Sequence, residues 1–128
     1  HVGDYRSGWE ETLGGFGHGK INDNGQRLLS FASVNNLVIG NSLFQHPKKH
    51  RLTWRNPSGK DSAMLDYVLI NKRFRSTLND VRAMRGPDCG SDHYLVRAKI
   101  QLRLRKKAKK KTPASVKRNL TCLRDPAV

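Results

Sequence analysis

Long apolar runs are missing from this chain. No stretch approaches the roughly 20 residues of a membrane-spanning helix, and no signal-peptide pattern opens it, so no membrane partner is expected. Cysteine is scarce: Cys89 and Cys122 lie far apart with no metal-ligand spacing, which excludes a disulfide framework or a zinc module and reads as reduced thiols in an intracellular protein. Internal repeats are absent. The glycines of residues 1–21 match neither the nucleoside-triphosphate nor the dinucleotide phosphate-loop pattern, so that stretch reads as surface loop, with Trp9, Leu13 and Phe16 as scattered anchors and His18 exposed. His46 and His50 straddle Pro47 and so cannot share a helix face as metal ligands.

Acidic residues are also few. Ten Asp and Glu stand against 25 Lys and Arg in 128 residues, a formal net charge of +15. The imbalance is concentrated: residues 1–96 carry +4 and residues 97–128 carry +11. Such a block attracts polyanions, above all nucleic acid, through counterion release. It also reads as a nuclear or nucleolar address with no catalytic part.

What is present is an α/β pattern. Asn22 to Gln26 opens a helix, with Asp23 and Gln26 spaced as a capping box, and Leu28, Leu29, Phe31, Ala32 and Val34 form its apolar face up to a stop at Asn35-Asn36. Leu37 to Gly40 follows as a buried strand, with Leu43-Phe44 as an extension beyond a kink. Arg51 to Arg55 is expected as a strand, Met64 to Ile70 as a core strand with Asp66 inside it, and Asn71 to Asn79 as a short helix or turn with Phe74 and Leu78 turned inward. Val81 to Arg85 is another strand. From Val96 to Leu104 strict alternation predicts a last strand with one apolar face buried and one basic face, Arg97 to Arg105, in water. Residues 106–128 are expected to be a disordered basic tail or linker.

The chemistry-bearing residues lie at two places. Asp66 sits in an apolar run, where a carboxylate is costly unless paired, and Asp92-His93 follows the turn Gly86 to Gly90. Histidine is the natural partner for such an acid, because its proton exchanges near neutrality. If the two segments are neighbours, Asp66, Asp92 and His93 converge. An Asp-His pair beside a further carboxylate suits metal-assisted phosphodiester hydrolysis. A salt bridge to an arginine for Asp66, and a turn role for Asp92, are the plainer alternatives. Trp54, flanked by Arg51 and Arg55, is either a core residue or a stacking platform whose neighbouring guanidiniums hold phosphates. Lys106, Lys107, Lys109, Lys110 and Lys111 would add to nucleic-acid binding.

Leu65-Asp66-Tyr67-Val68-Leu69 followed by Ser91-Asp92-His93-Tyr94-Leu95-Val96 resembles the C-terminal half of the endonuclease/exonuclease/phosphatase superfamily. Asn24 to Leu29, Thr53-Trp54, Arg82 to Gly86 and the basic Arg97–Arg105 stretch resemble the craniofacial development protein 2-like sequences, retrotransposon-derived endonucleases, over roughly residues 1–105. The resemblance implies a four-layer α/β sandwich of which this chain would be the incomplete C-terminal half. It implies a DNA endonuclease using Mg²⁺ or Mn²⁺, with His93 as general base or transition-state stabiliser, Asp66 orienting it, Asp92 at or beside the metal, and Trp54 near the nucleotide pocket. The family's N-terminal metal-binding Glu and substrate-positioning Asn, and its Gly-Asp-Phe-Asn motif, are not found here; His1-Val2-Gly3 reads as the residues just after that motif. The expectation is therefore a fragment that folds poorly and has no nuclease activity alone, with DNA, or RNA, as its partner in the nucleus. The alternatives are a non-enzymatic basic nucleic-acid-binding protein and, disfavoured by the basic tail, a phosphatase of the same superfamily.

Overall fold

The computed structural model describes residues 1–109. Its one long helix, α1 (Asp23–Val34), packs Leu29 and Ala32 against the N-terminal loop. The cap lies one residue before the expected position. Asn22 accepts from the Gly25 amide at 2.8 Å and from the N-terminal amine at 3.0 Å, so Asn22, and not an Asp23–Gln26 box, satisfies the first turn. Gly25 is there for contact: a Cβ would stand 1.6 Å from the His1 carbonyl oxygen, where the chain start crosses the helix. Asn36, at φ 54°, turns the chain out of α1 in a left-handed conformation that Asn tolerates better than most residues.

Three two-stranded antiparallel sheets follow, which makes the chain mixed α/β. β1 (Leu37–Ile39) pairs with β4 (Leu69–Asn71), β2 (Trp54–Arg55) with β3 (Ser62–Ala63), and β5 (Leu78–Met84) with β6 (Leu95–Ile100). α2 (Lys48–Arg51) is a single helical turn. The first core cluster joins Val2, Leu13, Leu29, Ala32 and Ile39, with Trp9, Tyr67 and Leu69 packed against it. The glycine-rich start is thus part of the core and not a bare surface loop. His18 is half-buried, and its imidazole pKa is lowered by burial and by the charges of Arg51 and Lys48. Leu52, Ala63, Met64, Leu78, Val81 and Ala83 are also buried. His46 meets Asp80 at 2.5 Å, and Arg82 donates to the same carboxylate at 2.6 Å. Burial alone would raise the Asp80 pKa; the hydrogen bonds from Arg82 and His46 outweigh it and hold the pKa low.

Several expected elements take a different form. Leu43 belongs to a 3-10 turn, Gly40–Leu43, because Ser42 bonds back to the Ile39 carbonyl and closes the chain on itself. Arg51 ends α2 and is not in a strand; β2 is only Trp54–Arg55. Met64 to Val68 lies in no ladder, so Asp66 is not inside a core strand and its side chain is 44% exposed. Residues Lys72–Thr77 form a 3-10 helix that leaves Phe74 52% exposed while Leu78 is buried. β6 stops at Ile100. Its apolar side is only half covered: Ile100 is exposed, as are Leu102 and Leu104 in the irregular segment beyond it, because no element packs over them among the described residues. Residues 101–109 have no regular structure, and residues 110–128, including most of the expected tail with Lys110 and Lys111, lie outside the described part.

Candidate functional site

Two segments with no ladder of their own meet beside β2. Tyr94 donates its amide to the Thr53 carbonyl at 2.7 Å, and Arg55 donates to the Asp92 carbonyl at 3.2 Å, so Trp54 and His93 form an antiparallel bridge. This short pairing carries the Ser91–Tyr94 segment alongside β2. On the other side of Thr53, its hydroxyl oxygen accepts the amides of Leu65 at 2.9 Å and Asp66 at 3.1 Å. One residue therefore holds the backbones of both halves of the candidate site.

The expected pair forms. His93 Nδ1 lies 2.8 Å from Asp66 Oδ2. An ionised carboxylate only accepts, so Nδ1 carries the proton and Nε2 is left to exchange one with anything that docks there. The pKa of His93 is raised, first of all by the hydrogen bond to Asp66; burial opposes this, and the attraction of Asp66 and Asp92 adds to the rise. Both side chains remain open to solvent, at 42% for His93 and 44% for Asp66.

Asp92 is held separately. Trp54 donates its indole N–H to Asp92 Oδ2 at 2.8 Å. A tryptophan N–H has no acceptor role, so this bond fixes the carboxylate and sets the ring edge-on to it. Asp92 lines a cleft of about 620 Å³ together with Arg55, Asn56, Ser58, Ser91 and Tyr94. His93 lines a smaller one of about 270 Å³ with Arg85, Asp88, Cys89 and Tyr94. Tyr94 is shared by both, and the Arg85 guanidinium sits 3.8 Å from its ring centre, a cation–π contact that presents positive charge at the rim.

The remaining candidates divide. Arg55 is exposed at the cleft. Arg51 is turned away from it and donates to the Gly17 carbonyl at 3.2 Å. Lys106, Lys107 and Lys109 are exposed, and the structure places them in no site. Arg85 and Tyr94 at the cleft rim went unread in the sequence; an aromatic directly after the Asp-His pair was the available signal.

A divalent cation of the Mg²⁺ class takes about six oxygen ligands. Among the described residues no group of three or more His, Cys, Asp or Glu is placed to hold a metal ion, and one oxygen of Asp92 is already engaged by Trp54. These residues do not fit a resident cation by themselves.

No protein-family profile matches the chain, and no solved structure does. Two curated proteins match. Craniofacial development protein 2 of Tragulus javanicus and that of Bos taurus are each 42% identical to it over 92 residues, 72% of this chain. The chain spans 16% of the length of these relatives, and over that part it is similar to craniofacial development protein 2.

Proposed function

We propose that this chain carries the histidine-and-aspartate portion of a DNA phosphodiesterase site of the endonuclease/exonuclease/phosphatase kind, and that it has no nuclease activity alone. The contact of His93 Nδ1 with Asp66 Oδ2 at 2.8 Å carries this reading, since it leaves Nε2 as the ring nitrogen for proton exchange. Asp66 fixes the tautomer and favours the charged ring. A charged imidazole at a phosphodiester stabilises the growing negative charge, and a neutral one removes a proton from water; a positioned acid or base of this type contributes about 10²–10⁴-fold. Arg55 and Arg85, at the rims of the two clefts, suit the flanking phosphates. The absence of a metal-ligand set among the described residues is the reason for proposing inactivity of the isolated chain. The half-sandwich belongs to the same proposal: on one face of β6 Val96 and Ala98 are only half-buried and Ile100 is exposed, as an uncovered sheet face would be.

The test is a chimera. This chain replaces its 92-residue counterpart in bovine craniofacial development protein 2, and nicking of supercoiled plasmid with Mg²⁺ or Mn²⁺ is followed. Nicking by the chimera that disappears in His93→Ala, with none by the isolated chain, is the expected result. A chimera that folds and does not nick, or whose nicking survives His93→Ala, overturns the reading.

The same missing ligand set favours a second reading, a non-enzymatic protein that binds DNA or RNA through its basic surface in the nucleus. It predicts equal DNA affinity for wild type and His93→Ala and no cleavage in any context.

A further inference from the structure

Asp66 stands in a segment without a strand partner, yet its carboxylate is aimed at His93. Buried backbone groups must find hydrogen bonds somewhere, and here two side chains supply them. Thr53, fully buried, accepts from the Leu65 and Asp66 amides through its hydroxyl oxygen. Asn41, 6% exposed, donates its amide nitrogen to the Asp66 carbonyl at 3.0 Å and accepts from the Val68 amide at 2.8 Å. Its primary amide presents a donor and an acceptor side by side, as a neighbouring strand would. The backbone of Thr53 also accepts from Tyr94, next in the chain to His93.

We propose that Thr53 and Asn41 are positioning residues that set the Asp66 carboxylate against His93, replacing a β-ladder around Asp66 with two side-chain clamps. This rests on the reading of His93 and Asp66 as a working pair, and it concerns how the pair is held. Thr53 spans the pair, with its hydroxyl on the Asp66 side and its carbonyl on the His93 side. A valine has the same shape and would fill the same buried space. The hydroxyl is therefore not needed for packing; what it adds is acceptance of two amides at one point. Asn41 could likewise be replaced by an apolar residue of similar size if only volume mattered, but its amide is matched on both edges to the Asp66–Val68 backbone.

The test compares Thr53→Val with Thr53→Ser in the full chain. Nitrogen NMR of the neutral His93 ring reports its tautomer, and amide hydrogen exchange reports Leu65 and Asp66. In wild type and Thr53→Ser the ring is expected as the Nδ1–H tautomer with Leu65 and Asp66 protected. In Thr53→Val the tautomer shifts toward Nε2–H and exchange at these amides rises about tenfold, the order of one missing hydrogen bond, while Leu29 and Ala32 of α1 keep their protection. A folded Thr53→Val chain with the wild-type tautomer and exchange overturns the proposal. Should Thr53→Val not fold, Asn41→Asp, which keeps the acceptor for Val68 and removes the donor to Asp66, is read in the same way: an unchanged tautomer overturns the proposal, and a shift supports it. Neither readout needs DNA cleavage. A tautomer shift together with an inactive chimera would sink the nuclease reading and leave the clamp standing.

Discussion

Asp66 and His93 hold one another while each keeps about two fifths of its side chain in water. In that setting the pair is a weak source of stability, because exposed ion pairs are screened. Its effect lies in the state of the ring. Replacing Asp66 by Asn removes the charge and the strongest acceptor, so proton NMR titration of His93 in Asp66→Asn should show the pKa falling back toward the ordinary histidine range. An unchanged midpoint would mean the two side chains do not meet in solution. The sign for stability follows from the raised pKa. Below the unfolded-state pKa the ring is charged in both states and the pair contributes fully. As pH rises through the higher folded-state pKa, that contribution is lost. Trp54 acts at this scale too: its N–H, in the ring plane, is spent on Asp92, and the ring remains half-exposed.

Among the elements, α1 depends on a close approach that its own periodicity does not show. Gly25 lies in the first turn, where the His1 carbonyl oxygen passes closer than any side chain permits. Gly25→Ala gains intrinsic helix propensity of about 1 kcal/mol. The clash reverses that gain, because backbone must move. Thermal or urea unfolding should show net destabilisation, on the order of 1–3 kcal/mol as for other overpacked sites. A more stable Gly25→Ala variant would mean that the N-terminal residues do not lie across the helix. β5 and β6 show the opposite case. Their register pairs Val81 with Ala98 and Ala83 with Val96 over the covered part, and the alternation continues past Ile100 with nothing among the described residues to cover it.

For the molecule as a whole, charge dominates. On the proposed reading, a chain at +15 would bind DNA by releasing counterions, and the logarithm of its affinity would fall linearly with the logarithm of salt concentration. Changing Arg103, Arg105, Lys106 and Lys107 together to Gln should make the slope shallower by about 0.9 for each phosphate no longer neutralised. Fluorescence anisotropy of a labelled duplex across a salt series measures this. An unaltered slope would mean that DNA is held elsewhere, at the cleft bearing Arg55. That arginine and Arg85 are separated in sequence from the terminal basic block, and only the site places them together with His93 and Asp92.

By itself the sequence determined the charge, the helix over Asp23–Val34, the strand at Leu37–Ile39 and the partnership of Asp66 with His93, because periodicity, caps and acid–histidine chemistry are local or pairwise properties. Its reason for that partnership was mistaken, since Asp66 is half-exposed and no desolvation penalty demands the histidine. Asn41 and Thr53 were illegible: a polar residue that bonds to distant backbone looks like any turn or strand residue until the chain is folded. The same is true of Arg51, whose neighbour Trp54 suggested a shared face although one lies in a helical turn and the other in a strand. Only the tertiary structure decided which surfaces were covered. Alternation tells which residues share a face, and burial of that face depends on whether another element lies over it, which for Ile100, Leu102 and Leu104 none of the described residues does.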